Sequence, residues 1–243
     1  MGMPERSIFQ TRSLYLLVYD ELAMRISSGV WKPGALLPSE QELAAELSVS
    51  IGTVRKALAE LEGRHLIERR QGRGTFVVDQ DADRVCERFS NFCNKDGRRI
   101  AGIIKLKSLT LEPASTEEAQ LFRLPVDTDC IHIHQIRVHH EHVFMSEHVA
   151  MPASLFKSVR RIEDMPRNLG SLAQRHGVIL ENAVEQVVVS PLTVEAAHDL
   201  GRQPGEPALF VRRVVYAAGH RPIHVRSGFC WLNEHTSYRV GLG

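Results

Sequence analysis

The residues best suited to chemistry fall into three groups. The first runs from Ile51 to Arg73, where Arg55, Lys56, Arg64, Arg69, Arg70 and Arg73 stand against only Glu60, Glu62 and Glu68. The whole chain carries a formal charge of +1, so this local excess of cations is specific and suits a polyanion. Arg55 can fork onto a guanine edge, whereas Lys56 and the Arg69, Arg70 and Arg73 around Gly72 suit phosphates. The second group is Gln135 and Arg137. Two apart on a strand, they point to one face, and a guanidinium there matches a carboxylate or phosphate. Ser171, at a helix start, brings a hydroxyl and backbone N–H groups that also favour an anion. The third group is histidine. His132 and His134 share a strand face, and His139, His140 and His142 crowd a turn. Paired histidines can ligate a metal, but no cysteine or carboxylate accompanies them at a characteristic spacing. Solvated histidines, with no metal and no cofactor, are therefore expected.

Positioning the first group requires two short helices and a hairpin. Ser39 with Glu42 three residues on is a capping box, so a helix begins after Pro38. Leu43, Ala44 and Leu47 give it an apolar face, and Ser48-Val49-Ser50 interrupts it. Ser50 caps a second helix, whose Val54, Ala57, Leu58 and Leu61 recur at i, i+3, i+4, i+7. That leaves Ile51, Gly52, Thr53, Arg55 and Lys56 on the exposed first turns. Leu66-Ile67-Glu68 reads as a strand, Arg69 to Gly74 as a turn and Thr75 to Val78 as the return strand. An earlier helix, Leu14 to Ser27, carries a stripe of Leu14, Leu17, Val18, Leu22 and Ile26 and packs behind the pair. The sum is a winged helix-turn-helix, which places its second helix in the DNA major groove.

Asp79-Gln80-Asp81-Ala82-Asp83 is polar and aperiodic and reads as a linker. Strands follow over Ile100–Leu111, Cys130–Val138, His142–Ala150, Val184–Val189, Ala208–Tyr216 and Ile223–Trp231. Helices are expected over Ser115–Phe122, Leu169–His176 and Thr193–Leu200. Antiparallel strands with a few helices predict an α+β second domain. The domains are residues 10–78, a linker at 79–88, and 89–243.

At 243 residues, 43% hydrophobic and 24% charged, the chain has ample core for two domains of a soluble protein. Cys86, Cys93, Cys130 and Cys230 lie far apart, as expected of reduced thiols in the cytoplasm. No apolar run reaches the ~18–20 residues of a membrane span, and no signal-peptide core opens the chain.

The residues LPSEQELAAELSVSIGTVRKALAELE and IERRQGRGTFV resemble the DNA-binding domain of GntR-family bacterial transcription regulators, over about Tyr15 to Val78. The resemblance implies a base-reading role for Arg55 and a minor-groove approach for Gly72. With them go Ser39, Gln41, Ser50, Ile51, Gly52, Thr53, Lys56, Arg69, Arg70 and Arg73 as the DNA-binding set. Gln41 and Ile51 stand where many members have arginine, which implies a different operator: glutamine suits adenine, and isoleucine makes only apolar contact.

Leu209 to Val214, Gly219 to Ile223, and Ile136-Arg137-Val138 through Glu147 to Met151-Pro152 resemble the UTRA effector domain of the HutC subfamily, with its chorismate-lyase-like sheet. That resemblance, over about Phe89 to Val240, implies a homodimer and a small-molecule cleft lined by Phe89, Ser90, Gln135, Arg137, Glu147, Ser171 and His224. Gln135 replaces one arginine of the usual pair and His224 a glutamate, which argues against the phosphosugar effectors of some relatives and better fits one carboxylate or a smaller acid; the effector is expected to carry a carboxylate or phosphate. Two roles stay open for Arg137: ligand contact, or a salt bridge to Glu147 across a hairpin.

The expected function is a transcription repressor that binds an inverted-repeat operator in double-stranded DNA as a homodimer, tuned by an anionic metabolite. The alternatives are a chorismate-lyase-like enzyme and a dimeric DNA binder that senses nothing. No acid/base pair or nucleophile elbow supports the enzyme, and fold alone does not imply activity.

Overall fold

The computed structural model describes residues 13–79, 90–125, 127–166, 168–217, 219–233 and 236–240. They form two compact units divided between Val78 and Asp79. No helix among the described residues is long and apolar enough to cross a membrane. Of the expected linker only Asp79 is described, and Cys86 and Phe89 lie outside the described residues.

The first unit holds α1 (Leu14–Ser27), α2 (Glu40–Glu46), α3 (Ile51–Gly63), β1 (Ile67–Arg70) and β2 (Gly74–Val77). The capping box at Ser39 is present, with the Ser39 N–H donating to Glu42 Oε2 at 2.7 Å. Ser50 Oγ accepts from the Thr53 N–H at 3.1 Å and so starts α3. Between the two helices Ser48 takes a left-handed φ of 54°, which lets the chain reverse in three residues. Val54, Leu58 and Leu61 are buried against α1, each contributing about 1.5–3 kcal/mol of apolar burial.

Two expectations need correcting here. The α1 stripe is Val18, Tyr19, Leu22, Ala23 and Ile26, while Leu14 and Leu17 are exposed. The helix turns its face toward α3 one turn later than its leucines suggest. Arg69 and Arg70 belong to β1, not to the turn, which shrinks to Gln71-Gly72-Arg73. The strand continues because Arg69 and Arg70 pair with Thr75 and Gly74. The segment at Leu36 and Leu37 adds a third rung to this wing, bridging Leu36 to Phe76.

The second unit is built on a six-stranded antiparallel sheet of order β4-β5-β6-β9-β8-β7. The strands are β4 (Ile103–Pro113), β5 (Asp129–His139), β6 (His142–Pro152), β7 (Leu180–Pro191), β8 (Pro207–Ala217) and β9 (Arg221–Cys230). The helices are α4 (Thr116–Phe122), α5 (Leu169–Arg175) and α6 (Val194–Leu200). Most strands run longer than their apolar cores suggested, β7 by several residues at its N-terminal end. Two three-residue strands, β3 (Phe92–Asn94) and β10 (Thr236–Tyr238), pair with each other and were not foreseen. They are too short to show a period.

The β5–β6 hairpin turns at His140 and Glu141, both with positive φ (46° and 68°), the backbone of a two-residue hairpin loop. Alternation along these strands then sorts side chains to opposite faces. Ile131 and Ile133 pack with Val149, Met151, Phe156 and Leu172 of α5 on one face. Cys130 and Ala150 face the other side, with Phe122 of α4. α6 packs on that second face against β6, its Ala197 and Leu200 meeting Ala208.

Candidate functional site

On the first unit, Ser50, Ile51, Gly52 and Arg55 lie exposed along the first turns of α3, with Thr53 half-buried. The Ser50 and Thr53 hydroxyls are 2.9 Å apart. Arg55 is bound by Glu40 of α2, its Nε and Nη2 donating to Oε2 at 3.1 and 2.8 Å. Hydrogen bonding to Glu40 and its charge raise the Arg55 pKa further above the ordinary range. Glu40 also stands 3.8 Å from Arg69, and Arg69 lies 3.5 Å from Glu62. Arg70 pairs with Glu68 at 2.6 Å and its guanidinium lies over the Phe76 ring at 4.4 Å. Lys56 sits over the Tyr15 ring at 5.6 Å. Gly72, at the wing tip, has φ 69°, which favours glycine. The expected cations thus share one unit with carboxylates that hold several of them in place.

The second unit gathers a buried charge cluster on the sheet face that carries Ile131 and Ile133. Glu147, at 0% exposure, accepts from Gln135 Nε2 and Arg137 Nε, both at 2.6 Å, and Arg226 Nη1 lies 3.4 Å from its other oxygen. Arg226 continues to Glu185 at 3.5 Å, and Glu185 is bound by Arg213, Tyr238 and Asn91. Burial alone would raise the Glu147 carboxyl, but the Arg137 and Arg226 guanidiniums beside it hold it at about 2. Glu185 behaves likewise, held at about 2 chiefly by Arg213. His224 is pushed down to about 3, first by burial and then by Arg226, so it is neutral. Among the described residues the cluster sets three guanidiniums against two carboxylates. Arg226 Nε, His224 Nδ1 and Glu147 Oε2 are buried there without a hydrogen-bond partner among the described residues.

The structure brings Gln135, Arg137, Glu147 and His224 together, and Arg137 does form the salt bridge to Glu147. Ser90 is buried, accepting from the Phe92 N–H at 3.1 Å, and its neighbour Asn91 donates into the cluster. Ser171 does not begin α5. It is the third residue of a seven-residue helix capped by Asn168, whose Oδ1 accepts the Ser171 N–H at 3.0 Å. One backbone donor expected for an anion is therefore already engaged. Sequence reasoning missed Arg226, Glu185, Asn91 and Tyr238. The only available signal was alternation, which puts Arg226 on one face with His224.

His140 and His142 are exposed, as expected of solvated histidines, but His134 is buried and His132 half-buried. On the opposite face His132 Nε2 meets the Glu118 carboxylate at 3.0 Å and His134 Nε2 meets Asp199 Oδ2 at 2.7 Å. Carboxylates do accompany these histidines, from α4, 14 residues before His132, and from α6, 65 residues after His134. Cys93, Cys130 and Cys230 are buried free thiols.

A winged helix-turn-helix joined to an antiparallel sheet unit with a polar cluster in its core defines a DNA-binding transcription regulator with an effector domain. Residues 14–77 match the bacterial regulatory proteins of the gntR family and residues 101–235 match the UTRA domain, so the chain belongs to the GntR family in its UTRA-bearing form. The HTH-type transcriptional repressor NagR of Bacillus subtilis (strain 168) is 24% identical over 204 residues, 84% of each chain. The histidine utilization repressor of Klebsiella aerogenes is 31% identical over 134 residues, 52% of each chain. The crystal structure of YydK from Bacillus subtilis subsp. subtilis str. 168 is alike in fold, with a TM-score of 0.55 at 19% identity, covering 95% of this chain and 100% of that one.

Proposed function

We propose that this chain is a cytoplasmic, homodimeric repressor without catalytic activity, which binds an inverted-repeat operator and responds to a small anion in its second domain. The domains are 10–78 and 89–243, joined by the linker at 79–88. The observation that carries the reading is the buried cluster of Arg137, Arg213 and Arg226. Among the described residues it sets three guanidiniums against Glu147 and Glu185, with donor-capable atoms of Arg226 and His224 unpartnered. A carboxylate or phosphate matches guanidiniums in charge and offers those donors an acceptor. Ser90, Gln135 and Ser171 shape the same face, and Phe89 completes the proposed set. The relatives named as repressors support the direction of control.

On DNA, Arg55 reads a base, Gln41 and Ile51 set the departure in operator sequence, and Ser39, Ser50, Gly52, Thr53, Lys56, Arg69, Arg70, Gly72 and Arg73 contact the backbone and wing groove. The exposed Val184, Val188 and Val189 of edge strand β7 support a dimer surface. The test is the thermal midpoint across a library of small acids and neutral analogues, followed by operator binding. An acid that raises the midpoint and changes operator affinity, with both effects lost in Arg226→Ala, supports the reading. Turnover of the acid, or a response confined to neutral compounds, overturns it.

A further inference from the structure

The face of the sheet opposite the arginine cluster carries a second assembly. His134 and His148 lie directly across the β5–β6 pair from one another, their rings stacked at 4.6 Å with 15° between planes. Glu195, in the first turn of α6, spans both. Its Oε1 is 3.4 Å from His134 Nδ1 and its Oε2 is 2.7 Å from His148 Nε2. One turn further on, Asp199 is buried and accepts from His134 Nε2 at 2.7 Å, from the Ser146 hydroxyl at 2.7 Å, and from Lys107. Lys107 is the extra residue of the bulge in β4, which leaves it unpaired in the ladder. Three donors converge on this one carboxylate, so Asp199 acts as acceptor to each.

This arrangement fixes a tautomer. With Nε2 donating to Asp199, a neutral His134 presents the lone pair of Nδ1 to Glu195, and a lone pair facing a carboxylate oxygen repels it unless a cation lies between. A carboxylate behind a histidine is also the usual outer partner of a metal-bound imidazole, where it orients the ring and raises its basicity. We propose that His134 Nδ1, His148 Nε2 and the Glu195 carboxylate form a site for a divalent transition metal of the zinc class, with Asp199 as the orienting partner. Two imidazoles and one carboxylate suit Zn2+, Co2+ or Ni2+ better than Mg2+ or Ca2+. The three ligand atoms lie within 4.8 Å of one another. Tetrahedral bonds of 2.0–2.1 Å need separations of about 3.3 Å. The His148 and Glu195 side chains are exposed and have room to rotate toward the buried His134. The remaining coordination position opens into a cleft of about 260 Å³, lined also by Ser108, Thr110 and Ser227, with room for water or a small oxygen ligand. Three protein ligands and one open position is the pattern of an exchangeable site. Because the ligands join β5 and β6 to α6, metal would pin that helix to the sheet.

The test uses the full chain, free of any affinity tag, titrated with Zn2+ by calorimetry and with Co2+ by visible absorption. The expected result is one ion per chain, a tetrahedral-type Co2+ spectrum and a raised thermal midpoint. His148→Ala and Glu195→Gln change exposed side chains, keep the fold, and should each weaken binding at least tenfold. Asp199→Asn should weaken it by roughly ten- to a hundred-fold through ring orientation. A His140→Ala/His142→Ala variant, altered only at the turn end of the β5–β6 hairpin, should bind as the parent does. Absence of binding, or binding of equal strength in the His148→Ala/Glu195→Gln double variant, overturns the proposal. Titration of the two imidazoles by protons alone, with no uptake of Zn2+ or Co2+, also overturns it and leaves Glu195 as a proton partner.

Discussion

Arg55 of α3 is held through two of its guanidinium nitrogens by Glu40 of the preceding helix. On the proposed reading, a DNA base competes with Glu40 for this side chain. Arg55→Ala should lower operator affinity by roughly ten- to a hundred-fold and relax base preference at one position, with random-sequence binding changed little. Glu40→Ala removes the competitor and an acid beside Arg69. It should raise affinity for random duplex several-fold and reduce the ratio of specific to non-specific binding. Titrations of operator and random DNA at two salt concentrations measure both. Equal losses on both duplexes in Arg55→Ala would reduce Arg55 to a phosphate contact.

Glu147 is the hub of the buried cluster, and removing its charge leaves Arg137 uncompensated in the core and Arg226 with Glu185 alone. Glu147→Gln should destabilise the second domain by about 3–5 kcal/mol, the usual penalty for breaking a buried pair. Urea unfolding followed by circular dichroism checks this. A loss under about 1 kcal/mol would mean that water or rearrangement replaces the carboxylate.

Gly228 faces Glu147 across the β6–β9 ladder, and a Cβ there would lie 2.4 Å from Glu147 Cβ and 2.5 Å from the Ser146 carbonyl oxygen. Backbone atoms cannot step aside cheaply. Gly228→Ala should destabilise by about 1–3 kcal/mol or more, as overpacking does. It should also displace Glu147 relative to its arginines, and a thermal midpoint within a degree of the parent's would refute the close approach.

Acid should unfold the second domain in two stages. His224 has a folded pKa of about 3 against an ordinary 6.5, so the unfolded chain binds the extra proton between those values. Stability from this group is full above pH 6.5 and falls as pH drops toward 3, by at most about 1.4 kcal/mol per pH unit. Glu147 and Glu185, held at about 2, add a second loss as pH falls from about 4.5 to 2. His224→Asn should flatten the profile between pH 6.5 and 4.5 and leave the lower limb. A parent protein with constant stability from pH 7 to 5 would contradict the assignment.

Dimerisation through β7 is tested at Val188 and Val189, both exposed on an edge strand. Val188→Asp/Val189→Asp should shift sedimentation to the monomer and weaken operator binding while half-site binding persists. An unchanged dimer would move the interface elsewhere.

What the sequence made legible was local. The Ser39 capping box, the Ser50 cap and the span of α1 could be read because each depends on residues within one or two turns. The hairpin at His140-Glu141 was legible for the same reason. Gln135, Arg137, Glu147 and His224 were also named from the sequence, through the family resemblance. The rest of the clusters was not legible, because those partners arrive from distant elements: Glu185 reaches Arg226 and Arg213 across strands, and Glu195 and Asp199 reach His134 from a helix about sixty residues on. A histidine's neighbours along the chain do not show which carboxylates the fold will set beside it. The exposure of Leu14 and Leu17 was hidden too, since periodicity identifies a stripe more readily than its phase.

Strands β5 and β6 serve both faces at once. His134 and His148 look one way, and Gln135, Arg137 and Glu147, adjacent in sequence, look the other. A residue lost or gained within either strand swings the side chains beyond it to the wrong side, unless a bulge absorbs it, as the register shift at Arg137 and Val138 does here. Point replacement can change the chemistry of one cluster and leave the other intact, whereas a change of strand length disturbs both at once.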